Sequence, residues 1–367
     1  MKFLRLPLMC DYVENEKEII ISNHRTFKYY RLKKNAVVKF IFENLNTPIS
    51  YENLMKNAYE SHIEYKSIQL VLKKMLELGI IYLSEIPEDV GVVDNYVELQ
   101  YDDRYGLEIA FFERFEKDLN RFEIFKRIKN FKIAIIGLGG IGSNLAVMCA
   151  ASGMKKIELI DGDIVEKSNL IRQVFYKERD VNICKKVYSL KRFIEEFNSD
   201  IEISVSEEYI RSVEDCERYI EKDIDLIIQT ADRPKGYINH IVNDYSVKYN
   251  VPVLYTMNRS IGPLVIPGRT ICFKCYEEDM NKESNGLYKE IIGNLSEQVG
   301  SIYPAFVTGP WKLAPFVFEQ IIQYIINADE SECINHVIHF SEKFEKKITA
   351  IERKNACNCE EILKNER

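Results

Sequence analysis

The sequence has no run approaching the roughly 20 apolar residues that cross a bilayer. No apolar stretch follows its first residues either, Met1-Lys2-Phe3-Leu4-Arg5. A membrane protein and a signal-bearing secreted protein are both disfavoured, and a cytoplasmic location is the expectation. A basic excess is also lacking: 50 Lys+Arg stand against 57 Asp+Glu, a net charge of −7. Proteins that live on nucleic-acid phosphates usually carry the opposite balance. Nine cysteines in 367 residues are too few and too scattered for a disulfide scaffold. Repeats and low-complexity tracts are absent.

What is present suits a globular protein of two domains. Apolar residues make up 46% and charged residues 29%. Residues 1–88 read as a separate unit. Three β-rich segments (Phe3 to Cys10, Glu18 to Ser22, Arg25 to Arg31) precede three helical patterns. The first helix covers Ala36 to Leu45, and Ser50 can cap the second. The third carries Ile68, Val71, Leu72, Met75 and Leu78 at helical spacing, with Gly79 as its stop. Three strands and three helices in this length predict a small winged-helix-like domain. Residues 1–95 balance 13 Lys+Arg against 13 Asp+Glu, so a DNA-reading face is not expected. An exposed strand edge could instead capture an extended peptide; a structural cap or a dimerisation module is the alternative. Residues 89–130 read as a linker and helix, with Phe111, Phe112, Phe115, Leu119, Phe122 and Phe125 as an aromatic packing stripe.

From residue 131 the pattern alternates strands and helices. Lys132 to Ile136, Lys156 to Ile160, Ile201 to Val205, Asp225 to Thr230 and Pro252 to Met257 are the candidate strands. This predicts an α/β fold with a doubly wound, mostly parallel, Rossmann-like sheet over residues 131–367. Gly137, Gly139 and Gly142 satisfy G-x-G-x-x-G directly after the first strand, with Gly140 between them. Such a loop lets backbone N–H groups approach phosphate. Asp161 follows the next strand, where an acid ordinarily meets a ribose. Those features alone fit a dinucleotide as well as ATP.

The segment Asp161-Gly162-Asp163-Ile164-Val165-Glu166-Lys167-Ser168-Asn169-Leu170-Ile171-Arg172-Gln173, followed by Lys186, decides for a triphosphate. It supplies more positive charge than a nicotinamide needs, and departing pyrophosphate requires that balance. Asp232, after the strand ending in Gln229-Thr230, should reach the carboxyl edge of the sheet and can hold Mg²⁺. Cys272-x-x-Cys275 and Cys357-x-Cys359 form two pairs that can make a closed, structural four-thiolate zinc site.

Together these residues resemble the ThiF/MoeB/ubiquitin-activating superfamily over roughly residues 130–360. The shared pattern is G-x-G-G-x-G, D-x-D-x-[VI]-x-x-S-N-L-x-R-Q, a lysine, and an aspartate after a strand. The resemblance implies that the glycine loop and Gln173 line an ATP site and that Asp161 holds the ribose. It implies triphosphate contacts from Asn169, Arg172 and Lys186, and Mg²⁺ on Asp232. Arg172, Lys186 and Asp232 are then the catalytic group. Ubiquitin-activating members carry a thioester cysteine after the first cysteine pair; Tyr276 to Pro310 contains none, so no thioester relay is expected.

The N-terminal unit resembles the PqqD-like leader-peptide element, and the whole arrangement is similar to MccB-type peptide-modifying enzymes. That implies adenylylation of a carboxylate on a ribosomally made precursor peptide, a homodimer, and another peptide-modifying enzyme as a further partner. The family's trans-acting arginine has Leu107 at its equivalent position, with Arg104 and Arg114 nearby. A docking protein without ATP activity and an activator of a ubiquitin-like sulfur carrier are the alternative readings.

Overall fold

The computed structural model describes residues 3–7, 10–24, 26–45, 48–84, 104–116, 118–257, 259–294 and 305–352. The chain forms two compact units, Met1–Lys126 and Arg127–Arg367.

The first unit begins with β1 (Phe3–Arg5), β2 (Cys10–Glu14), β3 (Glu18–Asn23) and β4 (Lys28–Lys33). It continues through α1 (Ala36–Asn44), β5 (Ile49–Ser50), α2 (Tyr51–Glu60), α3 (Tyr65–Glu77) and β6 (Tyr82–Ser84). Two antiparallel three-stranded sheets result, ordered β5-β1-β6 and β2-β3-β4. Three strands were expected and six are found. The first expected segment splits around Pro7, which cannot donate to a ladder. The third shifts to residues 28–33 because Phe27, at φ 54°, turns the β3–β4 hairpin. The helices start at chemical caps: Asn35 and Ser50 side chains accept from Val38 and Asn53 N–H. Helix α3 stops before Gly79, whose φ of +68° suits a left-handed cap. Leu4, Ile19, Ile21, Ile41, Leu54 and Ile68 form its buried centre.

The aromatic stripe is not one helix. It divides into α4 (Gly106–Phe111), a 3₁₀ turn (Phe112–Phe115) and α5 (Arg121–Asn130). The break follows from Asn120, whose Oδ1 accepts from Phe122 and Glu123 N–H while Glu123 returns a bond to the Asn120 N–H. That reciprocal cap starts a new helix and outweighs the continuous stripe.

The second unit is built on one sheet ordered β14-β13-β12-β11-β10-β7-β8-β9. Its parallel part is β7 (Lys132–Ile136), β8 (Lys156–Ile160), β9 (Glu202–Ser206), β10 (Leu226–Gln229) and β11 (Val253–Met257). The strands β12 (Ser260–Val265), β13 (His336–Phe340) and β14 (Lys346–Ala350) extend it antiparallel. Its helices are α6 (Gly140–Ala151), α7 (Lys186–Phe197), α8 (Val213–Tyr219), α9 (Ile238–Tyr249), α10 (Phe273–Glu283), α11 (Leu287–Asn294) and α12 (Thr308–Ile326). The order runs outward from β7 through β8 to β9, then returns to the other side of β7 with β10. That reversal leaves a crevice outside the carboxyl ends of β7 and β10, the place where open α/β sheets bind ligands. No described helix is long and apolar enough to cross a membrane.

Candidate nucleotide site

The glycine loop leaves β7 at Gly137 and enters α6 at Gly140, on one lip of that crevice. Gly137 takes φ +89°, and a Cβ there would lie 2.6 Å from the Ala231 nitrogen. Gly142 is tighter still: its Cβ would fall 1.9 Å from the Gly137 carbonyl oxygen and 2.8 Å from Thr230 Oγ1. These two glycines let the loop fold against itself and against the end of β10. Gly140 abuts Pro310 of α12, with 2.9 Å from a would-be Cβ to the ring. Gly139 differs. Among the described residues a Cβ there meets nothing nearer than Gln173 Nε2 at 4.0 Å, so space is left in front of the loop.

Three side chains hold the loop. Thr230 Oγ1 donates to the Gly137 carbonyl at 2.6 Å. The buried Tyr176 hydroxyl donates to the Leu138 carbonyl at 2.7 Å. Asp161 Oδ2 accepts the Leu138 N–H at 2.6 Å, while its Oδ1 accepts the Asp163 N–H at 2.7 Å. Burial works to raise the Asp161 carboxyl above its ordinary value, partly offset by the Lys186 charge.

Beyond Asp161 the chain makes the turn that carries the signature residues. Asn169 is buried and closes a capping box: its Oδ1 accepts from the Glu166 N–H at 3.0 Å. The Asn169 carbonyl accepts the N–H groups of both Arg172 and Gln173. The turn therefore aims both side chains at the loop. Arg172 is half-buried, its Cγ 3.8 Å from a would-be Gly140 Cβ, and its Nη1 donates to the Ser168 carbonyl at 3.1 Å. Gln173 is 2% exposed and its Oε1 has no hydrogen-bond partner. A buried amide oxygen without a partner is costly and marks a place where a ligand donor or water belongs.

Lys186 opens α7, is buried, and places Nζ 2.7 Å from Asp163 Oδ2. Burial would raise the Asp163 carboxyl. Lys186, Tyr209 and the field of Arg233 outweigh it and hold the group below the usual carboxylate range. Asp232 follows Ala231, the residue pressed against Gly137, and is exposed with no hydrogen bond or ion pair among the described residues. Gly137, Gly139, Gly140, Gly142, Asp161, Arg172, Gln173, Lys186 and Asp232 thus converge on one crevice, while Asn169 shapes the turn beside it. Sequence reasoning missed Thr230, Tyr176 and Tyr209. Each acts through a carbonyl or carboxylate distant in sequence, and no local spacing signals that.

Cys272 caps α10 and Cys275 lies in its first turn, both buried with Sγ atoms 3.9 Å apart. That separation is far beyond an S–S bond. It suits two thiolates on one tetrahedral zinc, where Zn–S bonds of about 2.3 Å put the sulfurs about 3.8 Å apart. Cys357 and Cys359 lie outside the described residues, and no group of three or more metal-binding side chains occurs among the described ones. Leu107, in the first unit, is 61% exposed at the start of α4.

The ThiF family model matches residues 105–360. The chain belongs to the ThiF family. The sulfur carrier protein ThiS adenylyltransferase of Bacillus subtilis is 31% identical over 156 residues, 41% of this chain and 45% of that protein. A probable molybdopterin-synthase adenylyltransferase of Gracilaria tenuistipitata is 35% identical over 131 residues, 33% of this chain and 35% of its own. The chain spans less than half the length of these curated relatives. Among solved structures, E. coli MccB with ATP gives a TM-score of 0.71 at 23% identity, covering 98% of this chain and 99% of MccB. MccB in complex with N-formylated MccA gives 0.71 at 23%, with 98% and 100% covered. PaaA gives 0.59 at 22%, with 78% and 92% covered. At these identities the likeness is one of fold.

Proposed function

We propose that this ThiF-family chain is an ATP-dependent adenylyltransferase that activates a carboxylate of a ribosomally made precursor peptide. The observation that carries the nucleotide part is the crevice itself: an open loop at Gly139 with Gln173 Nε2 beside it, the buried Gln173 Oε1 left without a partner, and Arg172, Lys186 and Asp232 around it. The peptide part rests on two supports. One is the separate N-terminal unit with its exposed strand edges. The other is a fold shared along nearly the full chain with MccB, whose solved complexes include the MccA peptide. Residues 1–88 serve as the peptide-recognition element, residues 89–130 as a connecting and dimer-contact segment, and residues 131–367 as the adenylation domain. The working form is a cytoplasmic homodimer.

A peptide carboxylate is ionised at neutral pH and needs no general base. It attacks the α-phosphorus of ATP; the bond to the bridging oxygen breaks and its electron pair leaves with pyrophosphate, giving the acyl-adenylate. The chain's contribution is position and charge. Backbone N–H groups of the glycine loop meet the phosphates, Asp161 takes the ribose hydroxyls, and Arg172 and Lys186 balance the departing pyrophosphate. Asp232 is the residue that would hold Mg²⁺, which supplies further charge balance on the phosphates. A zinc on Cys272, Cys275, Cys357 and Cys359 would fix the C-terminal segment.

ATP–pyrophosphate exchange tests the reading. Exchange stimulated by a short peptide encoded beside this gene is the expected result. Exchange stimulated only by a ubiquitin-like sulfur carrier would assign the chain to the activity its curated relatives are named for. Peptide binding without exchange would make it a docking protein.

A further inference from the structure

Lys186 is not aimed by its own helix alone. Its ammonium rests on Asp163, and Asp163 is a loop residue with 45% of its side chain exposed. A carboxylate in that position rotates unless its second oxygen is held. Tyr209, just past β9, holds it: the hydroxyl donates to Asp163 Oδ1 at 2.7 Å, opposite the oxygen that meets Lys186. The phenol is fixed in turn. Its ring packs on Gly162, where a Cβ would come within 2.6 Å of Cδ2 and Cε2, and the Arg211 guanidinium lies 5.3 Å from the ring centroid. Gly162 separates Asp161 from Asp163, so one short turn joins the ribose acid, the tyrosine seat and the lysine's partner.

We propose that Tyr209 is a positioning residue for Lys186, acting through Asp163 to fix the ammonium where the β- and γ-phosphates of ATP arrive. The inference rests on the ATP reading above. A neutral donor suits the task, because it orients the carboxylate without cancelling the charge that anchors the lysine. The arrangement also explains a glycine at position 162, since any side chain there would displace the ring.

The test compares ATP with AMP, which lacks the two phosphates that Lys186 would meet. Calorimetric affinities for both are measured on the full chain, on Tyr209→Phe, on Asp163→Asn and on the double variant. Tyr209→Phe keeps the ring on Gly162 and removes only the hydroxyl. The expected result is a loss of about five- to tenfold in ATP affinity, with AMP affinity within about twofold of the parent. In the Asp163→Asn background the same substitution should have no further effect on ATP. Equal losses for ATP and AMP, no loss at all, or an undiminished loss in the Asp163→Asn background would each overturn the proposal while leaving ATP binding intact. Failure of the unmodified chain to bind ATP would instead overturn the nucleotide reading and this inference with it.

Discussion

Two alanine substitutions a few residues apart separate a loop built for a ligand from a tight turn. At Gly142 the added methyl meets the Gly137 carbonyl at 1.9 Å and Thr230 Oγ1 at 2.8 Å. Backbone cannot yield that distance locally, so the loop must move away from β10. Overpacking of this kind costs about 1–3 kcal/mol or more, which for a unit of this size lowers the melting temperature by about 3–10 °C. At Gly139 the methyl meets nothing nearer than Gln173 Nε2 at 4.0 Å among the described residues, and the backbone φ of −72° lies outside the left-handed region that favours glycine. The remaining cost is the poorer helix cap, at most about 1 kcal/mol. The methyl does fill the space where phosphate would approach the backbone, so ATP affinity should fall at least about tenfold. Differential scanning calorimetry and nucleotide titration on both variants give the answer. Gly142→Ala should lose stability with binding falling secondarily, whereas Gly139→Ala should lose binding with stability nearly kept. Full ATP binding by Gly139→Ala would refute the argument, since the loop would then be a turn and nothing more.

Asp232→Ala should abolish pyrophosphate exchange and leave the melting temperature unchanged, because the side chain is exposed and bonds to none of the described residues; unchanged exchange would remove Asp232 from the chemistry. Elemental analysis should find about one zinc per chain, and Cys272→Ser should reduce it. A metal-free chain with an unaltered melting profile would dismiss the thiolate site. Glu158, 3% exposed within β8, is pushed up to about 8 by burial, with the Glu221 N–H bonds and Lys156 pulling the other way. The folded chain therefore keeps a proton that the unfolded chain releases near 4.5, and stability falls as pH rises from that value through about 8. Glu158→Gln should match the parent near pH 5 and melt several degrees higher near pH 9. A shift independent of pH would show that the carboxyl does not titrate as its burial implies.

The parts that were legible share a cause. β7 and β8 begin and end where the sequence predicts because strands buried on both faces read as apolar runs, continuous from Ile133 to Ile136 in β7 and interrupted only by Glu158 in β8, and each is closed by the residue that starts the site, Gly137 or Asp161. The antiparallel extension β12–β14 is not among the candidate strands of the alternating pattern. Its strands carry Pro263 and a mixed exposure pattern, and their pairing depends on partners far along the chain. Asn120 was hidden for a different reason: the aromatic stripe spans it at helical spacing, and only the cap geometry shows that one helix ends and another begins.

The signature S-N-L-x-R-Q illustrates how far a motif can be read. As letters it suggests that Asn169, Arg172 and Gln173 all line the ATP site. In space they divide the labour. Asn169 spends its side-chain oxygen on the Glu166 N–H and its carbonyl on the next turn, so its identity is fixed by the capping box whether or not a nucleotide touches it. Arg172 and Gln173 are the residues that turn delivers, one half-exposed beside Gly140 and one buried with an acceptor unused. Asn169→Ala should therefore damage ATP binding by releasing Arg172 and Gln173 together, and it should lower the melting temperature as well. Arg172→Ala should weaken ATP binding while leaving the turn in place. Equal melting temperatures for the two variants would mean that Asn169 braces nothing and that the motif is a row of ligand contacts after all.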